Sequence, residues 1–537
     1  MRRRLFVGVV TFFVVVGVVL AVVLAGPDSL LSPVNVGNQP ISQGIALHNG
    51  NTIVRENDHF GTSLWEIPQG KESSTQIQAY ASKTSVSPGQ KLTFYVSTQK
   101  EGTSYFIDFY RLGWYQGYGG RLMGSLGGLM GHAQGYYDSV THHLVGCNSC
   151  LVDTKTGLVE ANWRPSYTLA VPVDWTTGVY LAKFINANGM QTYVPFDVVG
   201  NSSSLYIAVT SDATYAAENE WGGYSFQNAY NSSGIGRSGR GVKVSFDRPY
   251  VRGDGSGDVL LFEINAIHWL ERQGYDLSYI SGVDLHVNPA QLLHHRAYIS
   301  LGHDGYWTKE MRDGIEHARD SGVGLAFLEA DAGHWQIRFE PDSKRAQNRT
   351  IVCYKVGTAD NDLADDPLYG VDNTRVTSTW RDPVLARPEN ALIGIMETDV
   401  IDGRPGFPWR LSSQAHSRLL DGTGLQPGQK YGCDLVGFAY DRIFANGASP
   451  ARLQVLGISP TINAKRMPDV SNTTYYVAPS GAMVFATGSL YWTAGLDNYR
   501  FQPRIDPSCP QQSLVVPGLQ KLMAHVMDAL VVGHPSL

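Results

Sequence analysis

His303, Asp304, Glu329 and Asp331 stand close together in the chain, each pair directly after a short apolar run, Ala297–Leu301 and Val323–Leu328. Imidazole and carboxylate side chains gathered at strand ends suit hard or borderline metals such as iron, manganese or zinc. Such an ion polarises a carbonyl and lowers the pKa of bound water. Ser211-Asp212-Ala213-Thr214-Tyr215 and Asp247-Arg248-Pro249-Tyr250 add carboxylates and two phenols that could join the same edge. The plainer reading competes with this one: the tyrosines pack, and Asp304 caps the helix that follows. Nucleophilic catalysis has less support. The turn Gly302-His303-Asp304-Gly305-Tyr306 holds no Ser or Cys where a nucleophile elbow needs one. There is no Walker A motif and no Gly-x-Gly-x-x-Gly after the first strand.

The elements that must position these residues can be read from periodicity. After the turn, Thr308 is a helix cap, and Met311, Ile315 and Ala318 recur at helical spacing until Gly322. Leu205–Thr210 reads as a buried strand. Leu260, Ile264, Ile267 and Leu270 mark a helix face, and Asp276–Ile280 returns as a strand. Repeated β-α-β order predicts an α/β fold with a doubly wound, mostly parallel sheet, whose carboxyl edge is the natural ligand site. Beyond Arg338 the signals weaken, until Ala482–Ala486 and a final helix at about Leu519–Val531. Upstream, from Gln76 to about Gly200, short alternating segments such as Lys91–Val96 and Ser104–Tyr110 predict an all-β sandwich.

At 537 residues, two folded domains are expected. A formal charge of −6 argues against a nucleic-acid partner. Arg2, Arg3 and Arg4 precede an uncharged apolar run, Leu5–Ala25, long enough for a transmembrane helix. The basic flank places the remainder outside the cytoplasm. A signal peptide cleaved after Ala25 is the alternative, giving a secreted protein; an uncleaved single-pass anchor in the cell membrane is favoured for the length of the run. The divisions expected are 1–26 anchor or signal, 27–74 linker or stalk, 75–200 β-sandwich and 204–537 α/β domain. Cys147-Asn148-Ser149-Cys150 reads as a local disulfide, with a zinc site using His142 and His143 as the alternative.

Several segments taken together resemble one family. They are Tyr215 with Asn219-x-Trp221-Gly222-Gly223, Ser245-Phe246-Asp247-Arg248-Pro249-Tyr250, Trp269 to Asp276, Gly302-His303-Asp304-x-Tyr306-Trp307, Trp335-Gln336-Ile337-Arg338 and Cys353-Tyr354-Lys355. In these residues and their order the chain resembles the large (beta) subunit of N,N-dimethylformamidase and its relatives. The resemblance implies an amidotransferase-like α/β domain beside a β-sandwich, and a mononuclear iron held by two tyrosines and a glutamate that helps water attack a small amide. Carried over, the tyrosines are Tyr215 and Tyr250, and the site histidine and lysine are His303 and Lys355. The family's turn reads Gly-His-Asp-Glu-Tyr-Trp, and its glutamate, the metal's carboxylate, is Gly305 here; a site asparagine is Asp331. The expected metal set is therefore Tyr215, Tyr250 and Glu329 around iron, with His303, Asp331 and Lys355 catalytic. The expected function is an exported, membrane-anchored hydrolase of C–N amide bonds acting on a small-molecule amide. The alternative is a non-catalytic surface protein that keeps the fold to bind a ligand and has lost the iron site.

Overall fold

Phe94 shows why the first half of the chain folds as it does. Alternation along Lys91–Thr98 turns Phe94 inward, where it meets Phe109, Phe184 and Phe196 at ring-centroid distances of 5.9, 5.7 and 6.0 Å. Lys91–Thr98 is the middle strand of a three-stranded sheet with Ile77–Ala81 and Tyr167–Ala170. The other three phenylalanines lie on a five-stranded sheet in the order Ser85–Val86, Gln191–Val198, Gly178–Asn186, Ser104–Leu112, Gly120–Met130. The two sheets share one aromatic core. The computed structural model describes residues 50–200, 203–227, 240–358, 361–401, 406–499 and 514–532. The anchor or signal expected at Leu5–Ala25, and the stalk as far as residue 49, lie outside the described residues. Among the described residues no helix is long and apolar enough to cross a membrane. From Thr52 the segment read as stalk is packed: helix Thr52–Asn57 buries Ile53, and Trp65 is also buried.

The second half is built on a seven-stranded sheet. Its order is Leu277–Ser281, Tyr206–Thr210, Ala297–Ser300, Gly324–Phe327, Met483–Ala486, Pro468–Val477, Gln454–Ile462. The first five strands are parallel and the last two antiparallel. Ile207 and Val209 face one apolar cluster with Met311, Ile315 and Ala318 of helix Lys309–Asp320, whose Thr308 cap accepts a hydrogen bond from the Met311 N–H at 3.2 Å. Tyr206 and Ala208 face the other, with helices Ile264–Arg272 and Pro517–Val532.

The expected doubly wound, mostly parallel α/β class is overturned. The protein is mostly β, 34% strand against 20% helix, and its strands are divided among many sheets. The periodicity read between Leu205 and Leu328 belongs to one stretch only. After Phe327 the parallel order resumes only at Met483. Between them the chain forms two-stranded sheets, Met396–Val400 with Ala439–Arg442 and Phe407–Arg410 with Lys430–Val436, and the antiparallel pair. Cys147 and Cys150 are joined as a disulfide, which removes the thiolates that a zinc site would need.

One buried ion pair ties the strands of the first half to the helices of the second. Arg111, on Ser104–Leu112, donates to both oxygens of Glu271, on Ile264–Arg272, at 2.8 and 2.7 Å, with neither side chain exposed. Asn57 Nδ2 and Tyr279 Oη donate to the same carboxylate at 2.8 and 3.1 Å. Removing one partner of such a pair leaves an uncompensated buried charge and costs about 3–5 kcal/mol, whereas replacing both with apolar groups is far milder. Glu271→Leu should therefore lower unfolding free energy by about that amount, and Arg111→Met with Glu271→Leu should recover most of it. Denaturant titration of the three proteins checks this; a double variant no more stable than the single would count against it.

Candidate functional site

Helix Asp212–Glu218 starts directly after strand Tyr206–Thr210, and its spacing by threes puts Asp212, Tyr215 and Glu218 on a common side. Tyr250 reaches Tyr215 because the loop carrying it is tied to the end of this helix. Asn219 Nδ2 donates to the Pro249 carbonyl at 2.8 Å, and its Oδ1 accepts from Val251 N at 3.1 Å. The Arg248 guanidinium donates to the carbonyls of Trp221, Asn219 and Tyr224 at 2.6, 2.8 and 2.9 Å. The Tyr215 and Tyr250 rings meet edge to face, 6.1 Å apart. Burial holds both phenols neutral, reinforced by Glu263 at Tyr215 and by Asp212 at Tyr250.

His303 follows strand Ala297–Ser300 and is 2% exposed, with Phe262 against its ring at 5.7 Å. Three carboxylates surround it. Asp258 lies 3.5 Å from Nδ1, Asp331 lies 3.5 Å from Nε2, and Glu218 lies 3.8 Å from Nε2. Burial would lower its pKa, but Glu218, Asp258 and Asp331 outweigh that and hold the imidazole charged. Arg252 pairs with Glu218 and lies 3.4 Å from Asp258. Asp331 also meets His334, Oδ1 to Nδ1 at 2.9 Å, and His334 Nδ1 lies 3.3 Å from Glu397. Although burial opposes both shifts, the pair lowers the Asp331 pKa and raises that of His334 to about 10. A cavity of about 440 Å³ opens onto Glu218, Arg252, His303, Asp331, Glu397 and Phe438.

The turns that carry His303 and Asp331 are laced together. Gly333 N donates to the Asp304 carbonyl at 2.9 Å, and Trp335 N to the Gly305 carbonyl at 2.8 Å. Asp331 itself takes a left-handed backbone, φ 65°, uncommon for a residue with a side chain, and such conformations cluster at functional sites. A Cβ on Gly305 would stand 2.9 Å from Asp331 Oδ2.

Lys355, also at positive φ, is buried against the Trp335 and Tyr306 rings, 4.5 and 5.3 Å from their centroids. Burial lowers its pKa to about 8, with Glu218 and Asp331 among the charges that oppose the shift. Glu329 is placed differently. Its carboxylate accepts from Ser300 Oγ and from the Asp304 N–H, bracing the ends of two strands. Burial and the Asp304 carboxyl push its pKa well up.

The structure thus gathers His303 and Asp331, with Lys355 under the charge of Asp331, and brings Tyr215 to Tyr250. Asp258 links the two groups, since its charge acts on both phenols and it faces His303. The sequence reading missed Glu218, Asp258, Glu263, His334 and Glu397. Asp258 and Glu263 bracket a π-helical turn, Val259–Glu263, a deformation common at functional sites. The only signal for it was a carboxyl at each end of an apolar tetrapeptide; for His334 it was the Asp-x-x-His spacing from Asp331.

A family model, N,N-dimethylformamidase beta subunit-like, C-terminal, matches residues 106–506. The chain belongs to that family. No curated protein matches it. Two solved structures are similar over parts of it. One is superoxide reductase (neelaredoxin) from Ignicoccus hospitalis, 12% identical over 24% of this chain and 90% of that one, with a TM-score of 0.14. The other is a Paenibacillus sp. cycloisomaltooligosaccharide glucanotransferase complexed with cycloisomaltoheptaose, 10% identical over 51% of this chain and 33% of that one, with a TM-score of 0.15. At those scores neither carries an argument.

The iron implied by the dimethylformamidase resemblance does not fit the set Tyr215, Tyr250 and Glu329. Position 305 has no side chain, and both oxygens of Glu329 are committed to Ser300 and Asp304. No reaction step is drawn through that set.

The environment of Lys355 has a direct readout. Its amine should titrate near 8 in NMR of carbon-labelled lysine, against about 10.4 for an unperturbed lysine. Trp335→Ala, which opens the site to water, should move the value upward. An amine titrating above 10 in the parent would contradict the burial argument.

Proposed function

We propose that this member of the dimethylformamidase beta subunit-like family hydrolyses the C–N bond of a small amide. The observation that carries the reading is the opening of His303 and Asp331 onto one cavity of about 440 Å³, with Asp331 and Glu218 of its wall among the charges acting on buried Lys355. Its volume admits a small amide with room to spare, and Glu218, Arg252 and Glu397 in its wall favour a polar amide over an apolar one. Lys355 would stabilise negative charge developing on the amide oxygen, which is most effective from a dry, preset position. His303 would hold a proton at Nε2 for the departing nitrogen, and Asp331 would orient the attacking water. Water adds to the carbonyl carbon, the C–N bond breaks, and a carboxylic acid and an amine leave.

The site is proposed to work outside the cytoplasm, in a chain attached to the cell membrane through Leu5–Ala25. The basic Arg2–Arg4 flank and the Cys147–Cys150 disulfide support that placement. A second reading, a surface protein that binds an amide-like ligand without turning it over, rests on Gly305 in place of a carboxylate.

Amine release from formamide, N-methylformamide, N,N-dimethylformamide and acetamide tests the reaction. The parent should exceed the buffer rate on at least one, and Lys355→Met should lose about 10²–10³-fold, the usual effect of removing one oxyanion donor. Folded parent protein that releases no amine from any of them would sink the hydrolase reading and leave the binding one.

A further inference from the structure

We infer that His303, Asp331, His334 and Glu397 form a site for one divalent transition-metal cation, set on the cavity wall and separate from the tyrosine pair. The inference does not rest on amide hydrolysis: a cation on His303 Nε2 takes the place of the proton proposed there, so the protonated and the metal-bound site are alternative states of the same groups.

Proximity is the first support. His303 Nε2 lies 3.5 Å from Asp331 Oδ2, His334 Nδ1 lies 2.9 Å from Asp331 Oδ1, and His334 Nδ1 lies 3.3 Å from Glu397 Oε2. One ligand atom from each of Asp331, His334 and Glu397 falls within 4.8 Å of the others. The second support is how poorly these groups satisfy one another. Nδ1 of His334 faces the carboxylates of Asp331 and Glu397, yet its geometry completes a hydrogen bond to neither. Buried imidazoles normally complete such bonds, and geometry that misses them suits nitrogens whose natural partner is an ion.

The third support is the shell around the site. His303 turns Nε2 towards Asp331 and Nδ1 towards Asp258, the arrangement in which a carboxylate orients a metal-bound imidazole through its other nitrogen. A different trio, Glu218, Asp258 and His303, is equally compact, but Arg252 already neutralises its two carboxylates. At the inferred site Arg381 stands 3.7 Å from Glu397, and its Nε is engaged with Glu389. Gly305 keeps this side of the turn open, since a Cβ there would press on Asp331 Oδ2 at 2.9 Å. Two carboxylates balance a double charge, and the two imidazoles complete the set once the ion displaces their protons, a donor mix suited to zinc, cobalt, manganese or ferrous iron. The cavity leaves a position for water.

The test uses the full chain, stripped of metal and titrated with cobalt(II) as the probe. One equivalent should bind, and His334→Gln and Glu397→Gln should each weaken binding at least about tenfold, since losing even an outer partner of a ligand costs 10–100-fold. Tyr215→Phe and Tyr250→Phe should bind cobalt as the parent does. In the parent itself, bound cobalt should shift and broaden the His303 and His334 side-chain signals in NMR of nitrogen-labelled histidine, which answers the question even if a variant misfolds. Failure of the parent to bind cobalt, histidine signals that do not change, or loss of the metal in a tyrosine variant overturns the inference.

Discussion

The structure near the cavity depends on neutralising negative charge that has been taken out of water. Asp258 is fully buried, and Glu218 and Asp331 are largely so. An ionised carboxylate that deep is tolerated only beside a cation or a full set of hydrogen bonds. His303 supplies the shared counter-charge, with Arg252 on one flank and His334 on the other. Where burial outweighs these cations, the carboxyls hold their protons to higher pH. Burial pushes Asp212 and Glu263 to about 7 and Asp304 to about 8. The site is therefore divided into an ionised half around His303 and a neutral half nearer the tyrosines. The hydrolysis and the cation site proposed above both use the first half.

That division needs rigid placement, and the surrounding chain provides it through backbone contacts more than through side-chain pairs. The turn after Ser300 and the turn after Leu328 share two main-chain hydrogen bonds, so His303 and Asp331 cannot separate without breaking both. Strand Tyr306–Thr308 continues the union by pairing in parallel with Trp335–Glu340. Glu329 belongs to the same brace, its oxygens holding Ser300 and Asp304. An ionisable residue next to an active cleft can thus be wholly structural.

Much of the site was legible because parallel strands deliver the residues after them to one edge, and short apolar runs mark those strands well. Strands end at Thr210, Ser300 and Phe327, and Tyr215, His303 and Asp331 follow them within a few residues. Asp258 and Glu263 were not legible, since a π-turn breaks the 3.6-residue period on which helix reading relies. Glu397 lies on a two-stranded sheet far along the chain, and nothing in its neighbourhood signals that Arg381 and His334 will fold against it. The fold class failed for a related reason. Local β-α-β order describes neighbours in sequence, whereas the fifth parallel strand comes from Met483 and is continued by an antiparallel pair.

Gly305 and Asp331 are best understood as one change. The resemblance places a glutamate at 305 and an asparagine at 331, and a side chain at 305 would begin 2.9 Å from the present Asp331 Oδ2. Two carboxylates cannot share that space without mutual repulsion or a proton between them. With glycine at 305 the room passes to position 331, where the left-handed backbone aims the carboxylate between two histidines. A carboxylate at 331 rather than at 305 places its negative charge beside the imidazoles of His303 and His334. That placement supplies one of the three carboxylates that hold His303 charged, the others being Glu218 and Asp258.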